Sequence, residues 1–443
     1  MDSPYHPGFG ARPAVLVGRD QQLARAAANL TRVANSRAAA PSAMVLTGAR
    51  GLGKTVTLAV IGDAAAERGF VTVSIAFDSV SDNVQLLAGR VAEAIAPLEN
   101  RRAADTWARF RQRLASLEIE VNAGVVKISS PTAPRADDAQ TTVQRQVLAD
   151  LLAGGAQIAA AHDRAGLAIF LDELQEAPRP QLVVIANAIQ DALAAAGDIP
   201  LAVFAAGLPQ TPERVMAAAS FTERFDFRVL DRLDQAAAER ALVEPALSLG
   251  VTWEPPAAAA ALEAAGGSPY LIQLLGNEAW TLANPDRGGV ITQTHAAAAT
   301  EEVQQSLAAG MFRGRWGKAT DAERDLMVAI AQVVGEDGIA LTRHITALLD
   351  KTTPQLSTAR KALIDKGLIE SAGTGRLRFT MPGFADFVRR HVDAPWYGPQ
   401  IAAGQDLEGE ALPAPPPEQI QARRRPRELP SGDQGRPGSG PRR

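Results

Sequence analysis

One stretch, MVLTGARGLGKTVTLAVIG at 44–62, constrains the fold of this chain more than any other feature. An apolar run ends in a glycine-rich turn, and helical periodicity follows. Glycines let successive backbone N–H groups point at phosphate oxygens, and the helix start adds a positive end. The turn is formed by Gly48, Ala49, Arg50, Gly51, Leu52, Gly53, Lys54 and Thr55. We expect Lys54 to contact the β- and γ-phosphates of a bound nucleoside triphosphate and the Thr55 hydroxyl to bind Mg²⁺.

A second apolar run, LAIFLDE at 167–173, ends in two acids. A carboxylate at the carboxyl end of a strand beside the phosphate loop can complete the shell of a bound Mg²⁺, which is the role expected for Asp172. The adjacent Glu173 is positioned to polarise a water for attack on the γ-phosphate. An Asp-Glu pair that merely caps a helix is the alternative.

The spacing of apolar runs predicts the architecture. Runs near 43–48, 70–77, 167–171 and 199–209 alternate with helical segments, which is typical of a parallel α/β sheet covered on both faces. We place this core at 1–229, with an insertion at 118–137 that contains a hairpin around Asn122-Ala123-Gly124. The all-helical pattern at 230–312, called the helical lid below, follows the core.

Composition excludes several classes of function. The chain has 443 residues, enough for two or three domains, and contains no cysteine, so disulfides and thiolate metal sites are excluded. Its five histidines lack ligand-like spacing, and a net charge of -4 argues against an electrostatic nucleic-acid binder as a whole. No apolar run approaches the ~20 residues of a membrane span, and the first residues do not read as a secretory signal. We therefore expect a cytoplasmic protein, of bacterial origin by its alanine- and arginine-rich composition, without a membrane partner.

Three motifs together resemble the AAA+ class of P-loop ATPases: LVGRDQQL, GARGLGKT and IFLDELQEA. Over about 9–392 the chain is most similar to bacterial and archaeal ATPases near the origin-recognition initiators and the STAND signalling NTPases. The resemblance implies ATP hydrolysis and a segment at 13–19 that wraps the adenine, with Arg19 at the nucleotide. An ordinary first turn with Arg19 on the surface is the alternative.

The same resemblance marks departures that predict slow hydrolysis. Many AAA+ proteins carry a polar residue at the end of the strand that here reads Ala205-Ala206-Gly207. The usual lid arginine is also absent, and GGSPYLIQLLG at 266–276 instead resembles the Gly-x-Pro signature of STAND ATPases. Pro269 then begins a helix whose start faces the nucleotide. Arg224 is the candidate for an arginine on the γ-phosphate, in cis or from a neighbouring subunit, with a surface ion pair as the alternative.

Residues 319–392 predict three helices, a β-hairpin wing and a closing helix, an α+β arrangement that resembles a winged helix. Such a domain can place its third helix in the major groove of double-stranded DNA and its wing on the backbone. The candidate contacts are Gln355, Ser357, Thr358, Arg360, Lys361, Arg376 and Arg378. Basic and acidic side chains nearly balance over this segment, so an arm that reports nucleotide state is the alternative. The Pro-, Gly- and Arg-rich residues 396–443 predict a disordered tail.

Two functions from different classes follow. The first is a slow, nucleotide-controlled ATPase switch acting on DNA. The second is a STAND-like regulatory ATPase that transmits nucleotide state to a protein partner or to an ATP-dependent homo-oligomer. An inert ATP-binding scaffold is a third interpretation.

Overall fold

The computed structural model describes residues 1–8, 10–99, 103–117, 119–122, 125–128 and 138–397. The chain divides into two compact units. The first holds residues 1–310 with the short segments 364–370 and 380–382, and the second holds the other described residues from 311 onward. The expected tail lies, from residue 398 on, outside the described residues. No helix in the described part of the chain is long and apolar enough to cross a lipid bilayer.

A five-stranded parallel sheet forms the centre of the first unit. Its strands are β1 (Met44–Thr47), β2 (Phe70–Ala76), β5 (Gly166–Asp172), β6 (Leu201–Gly207) and β7 (Asp226–Val229). They lie in the order β2-β5-β6-β1-β7, which confirms the predicted parallel α/β sheet. The edge strand β7 was not predicted, because its sequence DFRV is not a continuous apolar run.

The two faces of the sheet bury different side chains because successive residues of a strand point to opposite faces. Val45 and Ile169 belong to one buried cluster, which continues into helices on that face. Leu46, Phe170 and Phe204 belong to a second cluster on the other face, where the two phenylalanine rings stack with centroids 5.4 Å apart. Burial on both faces explains why β1, β5 and β6 read as continuous apolar runs.

Seven helices of the described chain surround this sheet or extend from it. They are α1 (Asp20–Ser36), α2 (Lys54–Glu67), α3 (Asn83–Ile95), α4 (Ala104–Ala115), α5 (Asp138–Ala161), α6 (Arg179–Ala194) and α7 (Thr211–Ala218). Between α4 and α5 lies a hairpin of β3 (Ile119–Asn122) and β4 (Val125–Ile128), paired antiparallel. The hairpin confirms the strand pair expected in the insertion, although the turn residues 123 and 124 lie outside the described residues.

The helical lid has four helices and a short parallel strand pair within the described chain. They are α8 (Gln235–Ser248), β8 (Thr252–Trp253), α9 (Pro255–Ala265), α10 (Pro269–Ala283), β9 (Val290–Ile291) and α11 (Gln293–Leu307).

The N-terminal residues pack into this lid, which the sequence did not indicate. Tyr5 is 2% exposed, its O–H donates to the carbonyl of Leu242, and Nε1 of Trp253 donates to its oxygen at 3.0 Å. A Cβ at Gly276 of α10 would lie 2.6 Å from the Tyr5 ring, so only glycine permits this approach. Burial raises the pKa of Tyr5, which keeps the phenol protonated as a donor.

The C-terminal elements after 311 combine helices with three short strands. They are α12 (Arg313–Gly317), α13 (Asp321–Val333), β10 (Ala340–Leu341), α14 (Thr342–Leu349), α15 (Thr353–Asp365), β11 (Ile369–Ser371), β12 (Arg376–Phe379) and α16 (Phe384–Val392). The strands lie in the order β10-β12-β11. In the second unit the rings of Phe312, Phe384 and Phe387 pack together, with Phe312 and Phe384 centroids 5.1 Å apart. On α15, Leu356 and Leu363 are buried.

Candidate nucleotide-binding site

The loop between β1 and α2 has the geometry expected of a phosphate-binding loop. Gly51 and Gly53 have φ of 82° and 83°, a left-handed conformation that a side chain would strain. At Gly48 an added Cβ would lie 2.5 Å from the carbonyl oxygen of Leu230, which follows the neighbouring strand β7. Backbone conformation therefore requires two of these glycines, and lack of space requires the third.

Lys54 lies inside this loop. Its ammonium donates to the carbonyl of Ala49 at 2.8 Å, and the residue is only 8% exposed. Burial lowers the pKa of Lys54 to about 8, while the nearby carboxylates of Glu173 and Asp172 oppose that shift. The side chain thus places a cation where the phosphates of a bound nucleotide would lie.

The position of Lys54 makes ATP affinity dependent on pH. In the free protein the ammonium loses its proton near pH 8, whereas bound phosphates would raise that pKa. Above about pH 8, binding must take up a proton, so affinity should fall by up to about tenfold per pH unit as pH rises. Titration calorimetry between about pH 7 and about pH 9.5 measures this, and the weak binding of Lys54→Ala should not change over that range. Wild-type affinity that stays constant across the range would contradict the assignment.

Thr55 and Asp172 meet at the end of β5. The Thr55 hydroxyl donates to Oδ2 of Asp172 at 2.7 Å, and Asp172 is 9% exposed. Burial raises the pKa of the Asp172 carboxyl, and the hydrogen bond from Thr55 opposes the shift. Two hard oxygen donors side by side suit Mg²⁺, which usually takes one or two protein ligands besides phosphates and water. Among the described residues no larger cluster of acids or histidines offers an alternative metal site.

Glu173 is held in an unusual conformation one residue further on. Its φ is 51°, which is rare for a residue with a side chain. Its carboxylate accepts a hydrogen bond from the amide of Gln175 and lies 3.8 Å from the guanidinium of Arg50. Arg50 also lies 3.5 Å from Glu176. The sequence predicted Glu173 but not these neighbours, because nothing in the motif indicates how the turn after β5 folds.

Arg19 is buried and donates hydrogen bonds to two different loops. It is 5% exposed, and its guanidinium donates to the carbonyls of Leu52 at 2.9 Å and Asp231 at 3.0 Å. Burial lowers the pKa of Arg19, and the Asp231 carboxylate opposes the shift. The surface position considered as an alternative is wrong. The proposed role at the adenine stays a prediction, since these contacts are to backbone carbonyls.

The start of the lid helix α10 faces the phosphate loop. Ser268 caps the helix, Pro269 is its first residue, and the backbone N–H of Tyr270 donates to the carbonyl of Gly51 at 3.2 Å. A Cβ at Gly51 would lie 3.3 Å from Cβ of Tyr270. The lid and the phosphate loop are thus in direct contact.

Within one chain, Arg224 lies away from the residues of the phosphate loop and the end of β5. It is exposed, and it precedes β7, which runs parallel to β1 with Asp226 opposite Met44. Arg224 therefore lies at the amino edge of the sheet, while the phosphate loop lies at the carboxyl edge. At about 3.3 Å per residue, the stretch from Arg224 to Leu230 spans roughly 20 Å. A role in cis is incompatible with this position.

The candidate DNA contacts lie on α15 and β12. Gln355, Ser357, Thr358, Lys361 and Arg376 are exposed, whereas Arg360 and Arg378 are half-buried. The Gln355 side chain accepts from the N–H of Thr352, so one of its groups already caps the helix start.

The sheet order, the phosphate loop and the acids at the end of β5 define a P-loop NTPase fold. Residues 15–192 match the family described as AAA ATPase domain, and residues 309–388 match a family described as a domain of unknown function, DUF8462. No curated protein matches the sequence significantly.

The solved structures with a similar fold include two with TM-scores above 0.5. The Walker-type ATPase PABY2304 of Pyrococcus abyssi is 14% identical, with 85% of this chain and 97% of that chain covered and a TM-score of 0.53. The Aeropyrum pernix ORC2 protein in its ADPNP–ADP complexes is 16% identical, with 90% and 98% covered and a TM-score of 0.54. The chain therefore carries an AAA+ P-loop ATPase domain whose fold is similar to that of these proteins, which confirms the predicted class.

Proposed function

We propose that this protein is a slow, nucleotide-controlled ATPase switch. In this proposal, ATP binding is coupled to the binding of double-stranded DNA by a C-terminal winged helix. The observation that carries the nucleotide part is the convergence of Lys54, Thr55, Asp172 and Glu173 at one edge of the sheet. These groups come from the start of α2 and from the end of β5, and they have the charges that a Mg²⁺-bound triphosphate requires.

The proposed chemistry is attack of water on the γ-phosphate. Glu173 accepts a hydrogen bond from the attacking water, the bond between the γ-phosphorus and the bridging oxygen breaks, and ADP and phosphate leave. Lys54 offsets negative charge on the β- and γ-oxygens. A Mg²⁺ held by Thr55 and Asp172 would supply further charge neutralisation.

We expect slow turnover because, within one chain, the site lacks a polar side chain from β6 and an arginine at the γ-phosphate. β6 ends in Ala205-Ala206-Gly207, so no polar side chain of that strand reaches the γ-phosphate. Arg224 lies at the opposite edge of the sheet and would act only on the nucleotide of a neighbouring subunit. We therefore propose that assembly of several copies accelerates hydrolysis, with Arg224 supplied in trans.

A path of polar contacts supports coupling between the phosphate loop and segments of the C-terminal region. Arg19 bonds both Leu52 of the loop and Asp231. The next residue, Arg232, donates to the carbonyls of Gly266 and Thr380 at 2.8 and 3.1 Å, and its guanidinium lies 3.8 Å from Glu370. These partners all lie within the first compact unit, which includes the segments 364–370 and 380–382. A shift of the loop upon nucleotide binding would therefore reach Glu370 of β11 and Thr380, which follows β12.

The DNA-binding part is supported by the element order helix, strand, helix, helix, strand, strand. This is the order of a winged helix, with α15 as the third helix and the turn between β11 and β12 as the wing. The exposed polar face of α15 and the exposed Arg376 offer contacts to bases and phosphates.

Duplex binding is therefore expected to depend on both ATP and salt. Fluorescence anisotropy with a labelled duplex should show binding at ~50 mM salt that weakens steeply towards ~200 mM, and more strongly with ATP than with ADP. Lys361→Ala together with Arg376→Ala should reduce the slope of log K against log salt by about 0.9 for each lost phosphate contact. Arg109→Ala, which removes an exposed arginine of α4, is the matched control and should leave the slope unchanged. Absence of binding at ~50 mM salt would overturn the DNA proposal.

A STAND-like switch acting on a protein partner is the second candidate. The hydrogen bond from Tyr270 of the lid to Gly51 of the loop favours it, because the lid could then report the nucleotide state directly. Absence of duplex binding combined with an oligomeric state that differs between ADP and ATP would favour this candidate over the first.

A further inference from the structure

We propose that Gln175 is the positioning residue for Glu173, and that it stands in for the polar side chain that β6 lacks. The proposal rests on the ATPase function above and deepens it. Gln175 lies two residues beyond Glu173, in the turn after β5. It is 4% exposed, although its side chain is polar.

Both ends of the Gln175 amide are engaged. Its Oε1 accepts from the backbone N–H of Leu208 at 3.0 Å, and its Nε2 donates to the carboxylate of Glu173. Nε2 also lies 3.3 Å from Oε1 of Glu176. These partners fix the orientation of the amide. In a flipped amide, the NH₂ group would face the N–H of Leu208, and the oxygen would face the carboxylate of Glu173.

The space beyond β6 explains why no side chain of that strand takes this role. A Cβ at Gly207 would lie 2.9 Å from Oε1 of Gln175 and 2.2 Å from Oγ1 of Thr211. Any side chain at 207 would therefore displace the amide or the hydroxyl. The polar group expected at the end of β6 is supplied instead by Gln175, in the turn that follows the neighbouring strand β5.

The end of β6 carries a second polar group, the buried hydroxyl of Thr211. Thr211 is fully buried, and within the described structure Oγ1 has no hydrogen-bond partner. Buried hydroxyls are normally paired, so an unpaired one requires an explanation such as a bound water or a catalytic role. The end of β6 thus carries two polar groups, one engaged with Glu173 and one unpaired.

The Gln175 contact determines which way the Glu173 carboxylate faces. Without the amide donor, the remaining described partner of that carboxylate is Arg50, at 3.8 Å. The carboxylate would then turn towards Arg50 and away from a water in line with the γ-phosphate. With the donor in place, Gln175 holds Oε2, and Oε1, which lies 3.8 Å from Arg50, is the oxygen that would accept from the attacking water.

The decisive experiment is a double-mutant cycle on the full chain. Gln175→Leu and Gln175→Glu should each lower kcat by about tenfold or more, while KM and the Kd for ATP change less than about twofold. In the Glu173→Gln background, Gln175→Leu should cause no further loss, since the group that it positions is gone. Gln175→Asn keeps an amide and should lose less kcat than Gln175→Leu.

A binding measurement gives a second readout that does not depend on turnover. The affinity for ADP with aluminium fluoride, a transition-state analogue, should fall in parallel with kcat in the Gln175 variants, while ATP affinity is retained. Gln210→Leu is the matched control, because Gln210 is also a buried glutamine near the end of β6 but donates to the carbonyl of Asp365. Its kcat should stay close to that of the wild type.

The outcomes separate this inference from the function on which it rests. Unchanged kcat in both Gln175→Leu and Gln175→Glu would overturn the positioning role alone. The same holds if Gln175→Leu lowers kcat as much in the Glu173→Gln background as it does in the wild type. Wild-type turnover that Glu173→Gln does not reduce would overturn the proposed ATPase mechanism and this inference with it. Gln175→Glu keeps the acceptor for Leu208, so the test remains valid if thermal unfolding shows that Gln175→Leu does not fold.

Discussion

Lys54→Ala should weaken ATP binding by about 100-fold or more and abolish turnover. Lys54 is only 8% exposed, and its ammonium would donate to two phosphates. A hydrogen bond to a charged group contributes about 1.5–3 kcal/mol, so losing two corresponds to roughly 100-fold to 1,000-fold or more in affinity.

The same substitution should not destabilise the fold. The pKa of Lys54 is lowered from 10.5 to about 8 in the folded protein. The unfolded chain therefore holds this proton more tightly, and the folded state gains stability as pH rises from about 8 to about 10.5. At neutral pH, removing Lys54 relieves the cost of a buried charge, so the melting temperature of the free protein should stay the same or rise.

Titration calorimetry with ATP and thermal unfolding without ligand measure the two effects. Lys351→Ala, which removes an exposed lysine before α15, is the matched control and should change neither. A loss of ATP affinity below about tenfold would contradict the placement of the phosphates at Lys54.

The sequence sufficed for those parts of the fold and site that depend on local pattern. The phosphate loop was predictable because glycine spacing, the strand before it and the helix after it all lie within 44–67. The acids Asp172 and Glu173 were predictable because they end an apolar run. Pro269 was assigned to a helix start, since proline suits the first turn, and the structure places it there.

The parts that could not be predicted depend on which strands are neighbours. Gln175 belongs to a quoted motif, yet its role appears only when β5 lies beside β6 and the N–H of Leu208 comes within reach. The sequence alone permits Arg224 to act in cis, but β7 runs parallel to β1, which puts Arg224 at the other edge of the sheet. The burial of Tyr5 in the lid joins residues more than 230 positions apart, a separation that no local pattern spans.

The backbone contacts of Arg19 and Arg232 were hidden for a different reason. Both guanidinium groups donate to main-chain carbonyls, and a carbonyl has no signature in the sequence. The sequence showed where arginines occur but not that these two connect the phosphate loop to the segments around Glu370 and Thr380. Coupling of this kind can be recognised only after the loops have folded.

Glu173→Gln should lower turnover by about 100-fold or more while ATP binding is retained. An amide has nearly the same size and shape as the carboxylate but cannot draw the proton from the attacking water. General-base catalysis typically contributes about 100-fold to 10,000-fold, which sets the expected loss. ATP affinity should hold, since Lys54, Thr55 and Asp172 are untouched.

The matched control is Glu176→Gln, because Glu176 lies 3.5 Å from the same Arg50 but is not the residue that follows Asp172. Phosphate release under single-turnover conditions, together with ATP titration, distinguishes chemistry from binding. If Glu176→Gln lost as much turnover as Glu173→Gln, the assignment of the base to Glu173 would fail. If the wild type bound ATP but showed no turnover that depends on Glu173, the inert ATP-binding scaffold would be the better description, and any switching would have to come from binding alone.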